Sequence, residues 1–249
     1  MEHLKLKKQY IGDAIAIFTD SVHTFGTDGV LLSYFAAPKA ADKVLEMGTG
    51  CGIVSLLWCR SPLPKEIHCL ELQEDAVDLV NMAIEENGLQ GRLIIQQGNL
   101  KEIEQYFSKG YYDLVVMNPP YKKAGDGVVT PVRGLAIARH ELECNLDDIC
   151  FAASKALNFG GRFCMCHRPS RLAEIIVAMK KANLEPKILR MVQQHPQAEP
   201  QLILIEGKKG SQSGMNILPP LILEDNNGEK TKEFCDIYKE YYKQKERNQ

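Results

Sequence analysis

The chain has 249 residues, enough for one sizeable α/β core with additions and well above the size at which disulfides or metals must staple a fold. A formal net charge of −2 and a pI near 6.3 exclude a globally basic nucleic-acid coat, so any polyanion would be held by a local patch. The eight cysteines contain no Cys-x-x-Cys pair and no histidine spacing suited to zinc, so they read as reduced core residues and no metal site is expected. No apolar stretch of signal-peptide or membrane length marks the amino terminus, which predicts a cytoplasmic protein with no membrane partner.

Residues 1–40 read as an N-terminal extension packed on the core, 41–210 as the main domain, and 211–249 as a tail. In the extension, Ile15 to Phe18 has the apolar run of a short strand. Thr27-Asp28-Gly29 before an apolar stretch predicts a helix, with Asp28 either its cap or a ligand contact. Val44 to Met47 is a strand with an acid, Glu46, near its end, followed by Gly48-Thr49-Gly50-Cys51-Gly52 and an apolar helix from Ile53 to Trp58. Alternate glycines let the backbone turn tightly beneath a ligand. The spacing is Gly-x-Gly-x-Gly, not the Gly-x-Gly-x-x-Gly of a dinucleotide site, and an acid at the strand end repels phosphate. A ligand with a cationic amino-acid end suits it better.

The next strand, Ile67 to Leu70, ends on Glu71, placed to accept two ribose hydroxyls as in nucleotide-binding βαβ units. Apolar residues at helical spacing run from Glu74 to Asn87, and Gly88 closes that helix. Leu93 to Ile95 is a third strand, with Asn99 beyond it where it would meet an adenine ring. A helix over Lys101–Lys109 leads to Tyr112-Asp-Leu-Val-Val-Met-Asn-Pro-Pro-Tyr121. Leu114 to Met117 reads as a buried strand that must stop at Asn118, because proline donates no ladder hydrogen bond. In an open parallel sheet that stop lies where ligands bind. The Asn118 side-chain oxygen and a carbonyl of Pro119 or Pro120 are positioned to accept both hydrogens of a planar amine, while Tyr121 offers a stacking face.

Residues 122–146 form a long polar connection expected to be a substrate loop, mobile without nucleic acid, with Lys122, Lys123, Arg133 and Arg139 available to phosphates. Leu146 to Leu157 is a helix, Gly160-Gly161 a turn, and Arg162 to Cys166 a strand. Arg168-Pro169-Ser170 then caps a helix to about Lys180, adding Arg168 and Arg171 to the basic groups. Ile188–Val192 and Leu202–Ile205 are the closing strands, and His195 between them reads as a structural turn residue. The tail is charged and amphipathic.

With these residues in hand, the chain resembles the class I S-adenosylmethionine-dependent methyltransferases, and among them the bacterial tRNA(Val) adenine-N6 methyltransferases. The resemblance rests on Phe25-Gly26-Thr27-Asp28, the turn Glu46 to Gly52, Glu71, Asn118 to Tyr121, Arg168-Pro169-Ser170-Arg171-Leu172, His195-Pro196 and Ile205 to Gly210. It implies a Rossmann-like, seven-stranded, mostly parallel, doubly wound α/β sheet with the last strand antiparallel. It also implies S-adenosyl-L-methionine as cofactor and tRNA as partner. Glu46, Gly48, Gly50 and Gly52 would hold the methionine end, Glu71 the ribose and Asn99 the adenine, where many relatives have aspartate. Thr27 and Asp28 would line the junction of donor and acceptor. The same clamp would also suit a protein glutamine amide or a guanine amine of rRNA, and a non-catalytic nucleic-acid platform is the alternative outside enzymes.

Overall fold

The computed structural model describes residues 6–12, 15–61, 64, 66–120 and 145–242. Two strands, β1 (Lys7–Ile11) and β2 (Ile15–Thr19), form an antiparallel hairpin. Then come α1 (Thr27–Ala36), β3 (Val44–Met47), α2 (Ile53–Cys59), β4 (Ile67–Glu71), α3 (Glu74–Glu86) and β5 (Leu93–Gln97). After α4 (Ile103–Tyr106) and β6 (Tyr112–Met117), the chain is described again through α5 (Leu146–Ala156), β7 (Leu157–His167), α6 (Leu172–Lys181), β8 (Leu184–Gln193) and β9 (Leu202–Lys209). Short strands β10 (Asn216–Ile217) and β11 (Leu221–Ile222) precede α7 (Lys232–Tyr242).

The central seven strands lie in the order β5-β4-β3-β6-β7-β9-β8. The first five are mutually parallel, and β9 runs antiparallel to both β7 and β8. This is the expected Rossmann-like sheet with its last strand reversed. Strands β10 and β11 extend it by pairing in parallel with β8, so the polar composition after Lys208 conceals a sheet edge.

Strand alternation makes the sheet two-faced. On β6, Leu114 and Val116 join one core cluster, while Val115 and Met117 join the other. The first cluster takes α1, α2, α3, α7 and the hairpin; the second takes α4, α5 and α6. Each fully buried Leu, Val or Met contributes roughly 1.5–3 kcal/mol, which holds both helical layers on the sheet. The hairpin is fastened by Asn87 at the end of α3. Its side-chain oxygen accepts from Ala16 N at 2.7 Å and its nitrogen donates to Ala16 O at 2.8 Å, as a neighbouring strand would. Among the described residues, no helix is long and apolar enough to cross a membrane.

Local details differ from the sequence reading. The expected turn at Gly160-Gly161 lies inside β7, an 11-residue strand whose pairing with β6 jumps from Tyr112↔Leu157 to Leu114↔Arg162. Gly160 takes φ +81°, and a Cβ on Gly161 would stand 2.8 Å from Asn158 Oδ1, so the glycines serve a bulge. The helix expected over Lys101–Lys109 shrinks to a 3-10 turn at Leu100–Glu102 and the single turn of α4. Phe107 ends it in extended conformation and stacks on His68, with ring centroids 5.5 Å apart. Helix α1 has Gly26 at its N-cap position and no side-chain cap, so Asp28 is an acid of its first turn and not its cap.

Candidate active site

Parallel register brings the strand ends together. Met47 pairs with both Leu70 and Met117, so Gly48, Glu71 and Asn118 emerge side by side at one rim. There they line a cleft of about 460 Å³ with Gly50, Pro119 and Pro120, and with Thr24, Phe25 and Gly26 from the segment entering α1. Gln73 and Met117 complete the wall. Thr24, Gln73 and Met117 have no sequence signal beyond their neighbours; only the fold turns them inward.

The glycine turn needs its glycines. Gly48, Gly50 and Gly52 have φ of +63°, +55° and +82°, in the left-handed region that side chains disfavour. Gly48 N donates to Leu70 O at 2.7 Å, which pins the turn to the end of β4. A Cβ on Gly50 would meet nothing within 4 Å, so the turn presents bare backbone to open space.

Two buried acids brace that turn from different sides. Glu71 Oε2 accepts from Gly50 N at 2.9 Å, while Oε1 accepts from Leu72 N at 2.8 Å and Gln73 N at 3.0 Å. A carboxylate has about four acceptor sites, so Glu71 keeps capacity for a further hydroxyl. Glu46 points beneath the turn and is not among the residues lining the cleft. It accepts from Ser55 N at 3.1 Å and from the Ser55 hydroxyl, at the start of α2. Burial, only partly offset by the hydrogen bonds from Ser55, pushes its pKa up to about 7.

Asn118 is half-buried at the end of β6. Its Oδ1 lies 3.1 Å from the Cys166 thiol of β7, and its Nδ2 lies 3.9 Å from where a Cβ on Gly29 of α1 would stand. Thr27 and Asp28 are half-buried in the first turn of α1, next to the cleft residue Gly26. Asn99 is spent locally: it caps the 3-10 turn, accepting from Lys101 N at 3.0 Å, and does not line the cleft. Arg168 is exposed and donates to Gln201 O at 3.0 Å, and Arg171 pairs with Glu174 at 2.8 Å. His195 is exposed in the β8–β9 turn. His167, which the sequence reading passed over, is buried at the end of β7, and burial with nearby Arg171 pushes it down to about 4. Tyr121, Lys122, Lys123, Arg133 and Arg139 lie outside the described residues, as does the proposed substrate loop up to Asn145, which caps α5.

A glycine turn between parallel strands, an acid at the next strand end and Asn-Pro-Pro after a third define a class I methyltransferase. The family model for the methyltransferase small domain matches residues 11–145, and the chain belongs to that family of S-adenosylmethionine-dependent methyltransferases. Among curated proteins it is similar to the tRNA1(Val) (adenine(37)-N6)-methyltransferase of Phocaeicola vulgatus, 25% identical over 217 residues covering 87% of this chain and 89% of that one. The protein of the same description from Parabacteroides distasonis is 27% identical over 87% of this chain and 90% of its own. Among solved structures, a predicted O-methyltransferase from Agrobacterium tumefaciens superposes with a TM-score of 0.70 at 20% identity, over 86% of this chain and 97% of its own. The tRNA m1G37 methyltransferase of M. jannaschii does so at 0.57 and 16%, over 85% and 59%. Both share the fold.

Proposed function

We propose that the protein methylates the exocyclic N6 amine of an adenine in tRNA, next to the anticodon. The observation that carries this reading is the shared rim: Gly48, Glu71 and Asn118 follow paired strand ends and face one cleft. The bare backbone at Gly50 and the acid at Glu71 fit an aminoacyl nucleoside, which is the chemistry of the cofactor. Gly48, Gly50 and Gly52 would lie along its methionine end, with Glu46 as an acid beneath the turn. Glu71 would take the ribose hydroxyls, and Thr27 and Asp28 would line the junction with the acceptor, while Asn99, held in its local cap, is left out of the adenine contact. When bound, S-adenosyl-L-methionine supplies an electrophilic methyl group.

The protein's own task is then to present a weakly nucleophilic amine. Asn118 Oδ1 and a carbonyl of Pro119 or Pro120 would accept the two amine hydrogens, and Tyr121 would stack the splayed base. Alignment of this kind lowers a barrier by roughly 7–11 kcal/mol without a strong base. Arg168 and Arg171, with Lys122, Lys123, Arg133 and Arg139, would neutralise phosphates beside the cleft. Similarity to curated tRNA adenine-N6 methyltransferases over most of the chain supports the RNA target.

The test is incubation with methyl-labelled cofactor and separate pools of tRNA, rRNA, DNA and protein, followed by digestion of the product. Label recovered as N6-methyladenosine from tRNA is expected; label in glutamine or in guanosine overturns the proposal. Asn118→Ala should lower turnover by about two to three powers of ten, as for other single orienting groups. Calorimetry should find cofactor affinity spared; equal loss of both would mean that Asn118 only supports the fold.

A further inference from the structure

Asn118 works as an acceptor only if its amide presents oxygen, not nitrogen, to the incoming amine. The two ends of the amide are nearly isosteric, so a half-turn about its last torsion would replace an acceptor with a donor and repel the substrate. Something in the protein must make the two orientations unequal. The Cys166 thiol stands 3.1 Å from Asn118 Oδ1, where its S–H can donate to that oxygen. Cys166 is fully buried on β7, so water does not replace it, and it is also 4.0 Å from the Asp28 carbonyl of α1. Asn118 Nδ2 lies 3.9 Å from where a Cβ on Gly29 of α1 would stand, a place the Ile53 side chain already crowds at 2.8 Å. Oxygen has two lone pairs, so a bond from the thiol leaves one for the substrate.

We infer that Cys166 is a positioning residue, whose thiol holds the Asn118 amide with its oxygen toward the acceptor. This rests on the clamp reading given above. Because Cys166 acts through Asn118, its removal should matter only while Asn118 is present. It should leave the cofactor cleft untouched, since Cys166 is not among the residues lining it.

The experiment compares Cys166→Ala, Cys166→Ser, Asn118→Ala and the double variant Cys166→Ala/Asn118→Ala, using unmodified tRNA transcripts and methyl-labelled cofactor. Cys166→Ala should lower kcat about three- to tenfold, the worth of one neutral hydrogen bond, with cofactor Kd unchanged. Cys166→Ser, which retains a donor, should recover part of that loss. In the Asn118→Ala background the alanine at 166 should cost nothing more. In asparagine-labelled protein without substrate, the Asn118 side-chain NH2 resonances should shift or broaden in Cys166→Ala and stay near wild type in Cys166→Ser. Full activity and an unmoved NH2 signal in Cys166→Ala overturn the inference while leaving the clamp standing. Equal losses in both backgrounds, or no recovery with serine, reduce Cys166 to a packing residue and overturn it too. Unimpaired turnover in Asn118→Ala would instead sink the clamp reading itself.

Discussion

Replacing Glu46 by glutamine tests whether the acid beneath the glycine turn is held neutral by its burial. The side chain belongs to a residue only 2% exposed, and its pKa is pushed from 4.5 to about 7. In the unfolded chain the carboxyl releases its proton near pH 4.5, whereas the folded protein keeps it until about pH 7. The folded state therefore binds more protons across that window, so stability from this group is fully present below pH 4.5 and is lost as pH rises through 7. At about 1.4 kcal/mol per pKa unit, the full difference between 4.5 and about 7 is about 3.5 kcal/mol. Glutamine cannot ionise, and its amide oxygen still accepts from Ser55. Urea unfolding of the cofactor-free proteins at 25 °C should find the two within about 1 kcal/mol of each other at pH 5. By pH 8 to 8.5, Glu46→Gln should be the more stable by about 3 kcal/mol. A difference that stays constant with pH, or a variant that loses several kcal/mol at pH 8, would show that the carboxylate is ionised and required, and refute the desolvation account.

Glu71→Gln removes an acceptor from the latch on Gly50 and sets an NH2 group against backbone N–H donors. Charged hydrogen bonds are worth about 1.5–3 kcal/mol, so cofactor Kd should rise by roughly tenfold to a hundredfold by calorimetry; an unchanged Kd would remove Glu71 from the site. Arg162 ties the end of α1 to the sheet, donating to Ala36 O at 3.0 Å and Glu206 Oε2 at 3.1 Å and pairing with Asp42 at 3.3 Å. Arg162→Met should destabilise the fold by about 3 kcal/mol in urea unfolding, near the low end for breaking a buried ion pair, because two carboxylates lose their partner. A loss under about 1 kcal/mol would mean that solvent screens the cluster.

Much of this architecture was legible in residue order. The apolar runs at Val44–Met47 and Leu114–Met117 mark buried strands because a strand covered on both faces has no polar side. The Asn-Pro-Pro stop and the alternate glycines mark strand ends, because proline cannot pair and only glycine tolerates the turn. Reading failed where backbone geometry depended on partners. Gly160-Gly161 looks like a turn, yet pairing with β6 stretches it into a bulge. Asn216–Ile217 and Leu221–Ile222 are too short to read as strands, and only the open edge of β8 makes them so.

Sequence by itself determined which groups are available: two acids, three glycines and an amide, each at the end of an apolar run, since that pattern depends only on local chain chemistry. Tertiary structure alone decided how they face one another. It turned Glu46 under the turn toward Ser55, spent Asn99 on a local cap, and set Cys166 against Asn118 across 48 residues of chain. Those outcomes follow from strand register and from which face of the sheet each side chain takes, and both are fixed by packing between segments that are remote in sequence.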